Sequence, residues 1–188
     1  MSARLVRCGV VAAFVAAGGA VGAVVFAGAA DRVPPPAAGS TAIMCHADEP
    51  GHRLLIAGIV TDETGRPIRG ASVGAYNTDA SGLYNPPNAG TREPRISGTV
   101  ITDAEGRFQV LTVYPGPYPG IAEPAHVHFG ANAPAYAQAW ATIWIEGDPL
   151  ITAERRAWAD RDEETRIVPA EEIEGLKVAR VTIVMKAS

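Results

Sequence analysis

From Arg53 onward the chain reads as short apolar runs cut by glycine, proline and aspartate. Leu54–Val60, Ala71–Tyr76, Thr99–Thr102, Phe108–Val113, Ala125–Phe129, Ala139–Ile145 and Val178–Met185 are each strand-length and rich in β-branched or aromatic residues. Asp62-Glu63-Thr64-Gly65 and Asp103-Ala104-Glu105-Gly106 mark tight turns: aspartate caps its own backbone and glycine accepts positive φ. Segments this short cannot each bury an apolar face alone. The expectation is an all-β, antiparallel β-sandwich. One surface helix is expected over residues 153–165, whose charges form a solvated face with Trp158 as a packing anchor. Trp140 and Trp144, four apart on one strand, are expected to share a face and fill the core. Asp148, in Gly147-Asp148-Pro149, is expected to make a turn.

The first thirty residues have another texture. Arg4 and Arg7 precede an uncharged apolar run from Cys8 to Ala30, and Asp31 is the first acid. This is the pattern of an export signal or of an uncleaved N-terminal membrane anchor. Five glycines weaken the run as a spanning helix and favour cleavage near Ala29. Three regions are therefore expected: a leader over 1–30, an extended Pro/Ala-rich linker over 31–50, and a folded domain over 51–188. The protein would be secreted, or anchored at the outer face of the cytoplasmic membrane; contact with membrane is expected only if the leader stays. Cys45 would be the one cysteine left, with no internal disulfide to form. The net charge of −4, more acidic once Arg4 and Arg7 are lost, argues against a nucleic-acid partner.

Two histidines in Pro124-Ala125-His126-Val127-His128-Phe129 would point to one side of a strand. That arrangement suits a shared metal and equally a pair of edge-strand surface residues. Tyr118 sits in Pro115-Gly116-Pro117-Tyr118-Pro119, where prolines reduce the cost of presenting one side chain. By itself it reads as a tyrosine packed on a proline-rich corner. Tyr84 follows Ser81-Gly82-Leu83 in a loop from Asn77 to Ser97, long enough to suggest function. Together, two phenolates and two imidazoles favour ferric over ferrous iron, since phenolate is a hard anionic donor and imidazole is compatible with iron.

In these segments the chain resembles the intradiol ring-cleavage dioxygenases of the protocatechuate and catechol type. The likeness runs from Gly58 to Leu150 and is most specific around the tyrosines, the histidines and Glu146-Gly147-Asp148-Pro149-Leu150. The strand–turn–strand text around Asp62 is less specific, because transthyretin-like sandwiches share it. The resemblance implies a non-haem Fe(III) cofactor held by Tyr84, Tyr118, His126 and His128. It implies catecholic substrates cleaved by O2 between the two hydroxylated carbons, giving a muconate-type diacid. Tyr118 matches the tyrosine that leaves the metal and takes up a catechol proton. A homo-oligomer is compatible with it.

The sequence departs from the family in three places, one of them the short gap between Tyr118 and His126. Where many members carry arginine three residues before the first histidine, this chain has Glu123, and Thr142 stands near the place of a common glutamine. Arg92, Arg95 and Arg107 are the candidates to restore positive charge, and Arg107 is assigned to catalysis with Tyr118. Two other functions compete. One is an exported β-sandwich binding module that keeps a metal site without catalysis, which Glu123 favours. The other is a copper or zinc binder using Cys45 and His46 with the 126/128 pair.

Overall fold

The computed structural model describes residues 36–188. The expected leader, and the linker as far as residue 35, lie outside them. Ten strands and one helix follow in the order β1 (Thr41–Ile43), β2 (Arg53–Asp62), β3 (Ser72–Asn77), β4 (Ser97–Ile101), β5 (Arg107–Val113), β6 (His126–Asn132), β7 (Ala139–Ile145), α1 (Ala153–Ala159), β8 (Thr165–Val168), β9 (Ala170–Ile173) and β10 (Leu176–Met185). They form two five-stranded sheets, ordered β1-β5-β2-β10-β9 and β4-β3-β6-β7-β8. Among the described residues no helix is long and apolar enough to cross a membrane.

The sandwich is as expected, but it is mixed rather than purely antiparallel. β1 runs parallel to β5, β10 to β2 and β8 to β7. Each of these pairs joins strands far apart in sequence, where no hairpin imposes the antiparallel sense. β1 also corrects the linker boundary. Thr41, Ala42 and Ile43 pair with Gln109, Val110 and Leu111, and Met44 enters the core. A three-residue strand carries too little periodicity to stand out beside prolines. The helix is shorter than expected: it ends at Ala159, and Thr165 begins β8. Its N-cap is Thr152, whose hydroxyl accepts from the Arg155 amide.

Alternate residues of each strand meet between the sheets. Val73 and Ala75 of β3, Val127, Phe129 and Ala131 of β6, and Phe108 and Val110 of β5 are all buried. Phe108 and Phe129 come from opposite sheets with ring centroids 6.0 Å apart. Gly58 of β2 makes room for Phe108: a Cβ there would fall 2.1 Å from its ring.

The other residues of β3, β6 and β7 face away from this core, and that outer face bears His126 and His128. Register sets Tyr76 beside His128, His128 beside Thr142, and His126 beside Trp144. The two tryptophans do share a face, but it is the outer one. Trp144 is buried there beneath Trp158 of α1, the rings stacked at 5.6 Å. Trp140 keeps 51% of its surface exposed and fills no core. In β7 both faces are apolar, so periodicity could not say which one turned inward.

Candidate metal centre

Two loops lay the tyrosines over the outer face. In the first, Asp79 Oδ1 accepts from the amides of Ser81 and Leu83, fixing the turn that ends in Tyr84. In the second, Gly116 N donates to Asp79 O and Thr78 Oγ1 donates to Gly116 O. Two glycines let the loops interlock. Gly82 has φ +85, and a Cβ there would lie 1.9 Å from Pro117 O; one on Gly116 would lie 2.5 Å from Ala80 O. Behind them, buried Asn77 accepts from Thr112 Oγ1 and donates to Val113 O, tying the end of β3 to the end of β5.

The four expected side chains converge. The Tyr84 and Tyr118 hydroxyls are in hydrogen-bond contact, and Tyr118 Oη lies 3.0 Å from His126 Nε2. The His126 and His128 rings meet edge-on at 4.6 Å, and Tyr76 stacks on His128 at 4.7 Å. Second partners orient both imidazoles through Nδ1. His126 Nδ1 lies 2.7 Å from Pro124 O, and His128 Nδ1 lies 3.2 Å from Thr142 Oγ1. A carbonyl only accepts, so His126 Nδ1 carries a proton, and in the neutral imidazole Nε2 then presents a lone pair. Proton order along the chain follows from that fixed end. With that ring neutral, Tyr118 donates to His126, and Tyr84 donates to Tyr118.

The electrostatics suit a cation. Burial, with His126 as a second cause, lowers His128 to about 4, so it is a neutral donor at neutral pH. Burial pushes the Tyr84 phenol well above its ordinary value, and the contact with Tyr118 adds to this. Burial raises Tyr118 too, and the charge of Glu123 adds to the rise. Neither phenol ionises readily on its own, and a bound multivalent cation is what would draw off their protons. Two phenol oxygens and two oriented imidazole nitrogens fit ferric iron.

Other assignments fall differently. Arg107 is a correction: its guanidinium binds Asp103 and Glu105 in the β4–β5 turn, and it contacts none of the four residues. Arg95 is held by Glu49 and Asp79. Arg92 lines a cavity of about 640 Å³ with Tyr84, Pro86 and Asn88. His46 pairs with Asp48, and among the described residues no three His, Cys, Asp or Glu side chains gather as a metal site. The copper or zinc reading therefore finds no support in the fold. Two residues act in ways the sequence reading missed. Asp148 makes its turn by accepting from Leu150 N, but it also accepts from Ala125 N at 2.9 Å and so anchors the residue before His126. Arg155 of α1 donates to Leu150 O and Ala122 O, pinning the chain beside Glu123. The Asp148 signal lay in its family motif; Arg155 gave none, because its partners are backbone carbonyls.

A sequence model of the Dioxygenase family matches residues 32–172. The chain belongs to the intradiol dioxygenase family. Among curated intradiol relatives, the protocatechuate 3,4-dioxygenase beta chain of Burkholderia cepacia is 32% identical over 112 residues, covering 54% of this chain and 48% of that one. Catechol 1,2-dioxygenase 1 of Acinetobacter lwoffii is 30% identical over 143 residues, covering 66% and 46%. The chain thus spans about half the length of these relatives. Solved intradiol folds agree. A 3-chlorocatechol 1,2-dioxygenase from Rhodococcus opacus 1CP superposes with TM-score 0.63 at 21% identity, covering 78% of this chain and 65% of that one. The dioxygenase domain of a carbohydrate-binding fusion protein from Streptomyces sp. SirexAA-E gives 0.61 at 20% identity, covering 79% and 90%.

Proposed function

We propose that this protein is a non-haem Fe(III) intradiol dioxygenase, held by Tyr84, Tyr118, His126 and His128 to its metal and acting on catechols. Catechol and O2 would combine to a muconate-type diacid: the bond between the hydroxylated carbons breaks, and both oxygen atoms enter the product. The observation that carries this reading is the run of contacts Tyr84–Tyr118–His126–His128 on one sheet face. Ferric iron, when bound, supplies the Lewis acidity that draws charge from a catecholate and makes its ring reactive towards O2.

The protein's own groups do the rest. Pro124 O and Thr142 Oγ1 fix the imidazole planes. In its phenolate form Tyr118 Oη would accept the proton of one catechol hydroxyl; Tyr118 sits between exposed Pro117 and Pro119, whereas Leu83, the residue before Tyr84, is bonded to Asp79. Trp144 under Trp158 closes one side against water. Glu123 sets a negative charge near both phenols, which disfavours catechols bearing a carboxylate.

The test is the purified full chain loaded with ferric iron. Phenolate-to-iron charge transfer should colour it wine-red, and oxygen uptake should begin on adding catechol. Tyr84→Phe should remove colour and uptake together. A colourless iron-treated protein, or a Tyr84→Phe variant that keeps both signals, would overturn the assignment.

A further inference from the structure

The outer face of the β4-β3-β6-β7-β8 sheet has two halves. Loops and α1 cover the half that bears His126, His128 and Trp144. The other half is open among the described residues and forms a groove of about 380 Å³. Its floor is glycine on two adjacent strands, Gly74 of β3 opposite Gly130 of β6. Trp140 forms one wall. Its ring lies over Gly130, where a Cβ would come within 2.9 Å, and half its surface remains exposed. Ser97 and Thr99 of β4 form the other wall, and Asn132 and Gln138 lie at the far end. No charged side chain lines it.

The groove is continuous with the metal centre. Tyr76 lines it and also stacks on His128. Gly130 lies two residues from His128 along β6, a step of about 7 Å on the same face. Trp140 lies two residues from Thr142, the partner of His128. A group attached to a ring bound at the centre would therefore pass over Tyr76 into the groove.

The geometry points to a substrate subsite: we infer that the groove receives a neutral, oxygenated ring carried as a substituent on the catechol. A planar or pyranose ring would lie against Trp140, with its hydroxyl or ether oxygens towards Ser97, Thr99 and the two amides. A carboxylate would find no cation there. This inference rests on the proposed catechol chemistry, and Gly74 offers a way to test it separately. Gly74 has ordinary strand geometry, and a Cβ there would meet nothing closer than 3.9 Å. A side chain grown from Gly74 therefore enters the groove without its Cβ crowding the neighbouring strands.

The experiment compares catechol with two extended neutral catechols, catechin and 3,4-dihydroxyphenyl β-D-glucoside, on the iron-loaded full chain. Gly74→Val should lower kcat/KM for at least one extended substrate tenfold or more and change catechol turnover less than twofold. Trp140→Ala, on the opposite wall, should repeat the pattern and covers the case in which Gly74→Val folds poorly. Equal effects on compact and extended substrates, or none on either, would overturn the subsite. If the wild-type protein cleaves no catechol, the proposed activity has failed, and the groove is judged by equilibrium dialysis of the dimethyl ethers of the two extended compounds. Binding weakened tenfold by Gly74→Val would then support the groove, while no binding, or binding unchanged by the variant, would overturn it.

Discussion

Among the described residues the same local turn occurs three times, and one copy leads into a candidate metal ligand. At Asp62, Asp79 and Asp103 the carboxylate Oδ1 accepts from the amides two and four residues on. The backbone amide three residues on, from Gly65, Gly82 or Gly106, returns to the aspartate carbonyl at 3.0 Å in every copy. All three glycines have positive φ. In two copies the fifth residue is arginine, and Arg66 and Arg107 fold back on their own aspartates. In the third it is Leu83, the aspartate binds Arg95 instead, and Tyr84 follows. Arg107 is thus a turn residue with a twin at Arg66. Local sequence writes the turn; the surroundings decide whether it presents a candidate ligand.

Those surroundings differ most at the glycines, which gives the sharpest way to break the comparison. Gly82→Ala would drive its Cβ into Pro117 O and should cost about 4 kcal/mol in denaturant unfolding. In any fraction that folds it should also abolish the iron colour, because the tyrosine loops can no longer interlock. Gly106→Ala places a Cβ 2.6 Å from Val60 O and should cost about 3 kcal/mol. Its iron spectrum should stay unchanged, since that turn holds no ligand. Arg107→Gln should cost about 1.5 kcal/mol through the buried Asp103 carboxylate. Oxygen uptake should stay within twofold of wild type; a larger fall would return Arg107 to the active site. Gly65→Ala meets nothing within 4 Å and should cost only the left-handed backbone penalty of about 1 kcal/mol.

The smallest effect concerns pH. The Thr64 hydroxyl, outweighing some desolvation and helped by the Thr64 and Arg66 amides, holds the Asp62 carboxyl down at about 2. A carboxyl depressed in the fold contributes stability that is present above its ordinary pKa of 3.8 and fades as pH falls towards 2. Asp62→Asn should therefore flatten the fall in urea midpoint over that window. An unchanged slope would mean that this turn contributes nothing to acid sensitivity.

Much of the site was legible because family motifs place its residues in short, specific text. His126 and His128 needed only strand period to share a side, and Tyr84 and Tyr118 only their loop motifs. The third turn was also there to be read, since Asp79-Ala80-Ser81-Gly82 repeats the spacing of the other two; it lies inside a stretch whose prolines, glycines and asparagines read as one long loop. Illegible were β1, too short for a period, the exposure of Trp140 on a strand apolar on both sides, and the supporting role of Arg155, whose partners are carbonyls that any residue could supply.

Composition and order along the chain determined the class of fold, the turns and the donor atoms offered to a metal. These depend on neighbours a few positions apart: alternation along a strand, and an aspartate three residues before a glycine. Which face of the sheet gathers the tyrosines and histidines was decided only in three dimensions. That choice rests on close approaches between distant segments: Gly82 against Pro117, Trp158 over Trp144, and Asp148 holding Ala125. Contacts of this kind depend on how whole elements pack, and no local pattern encodes them.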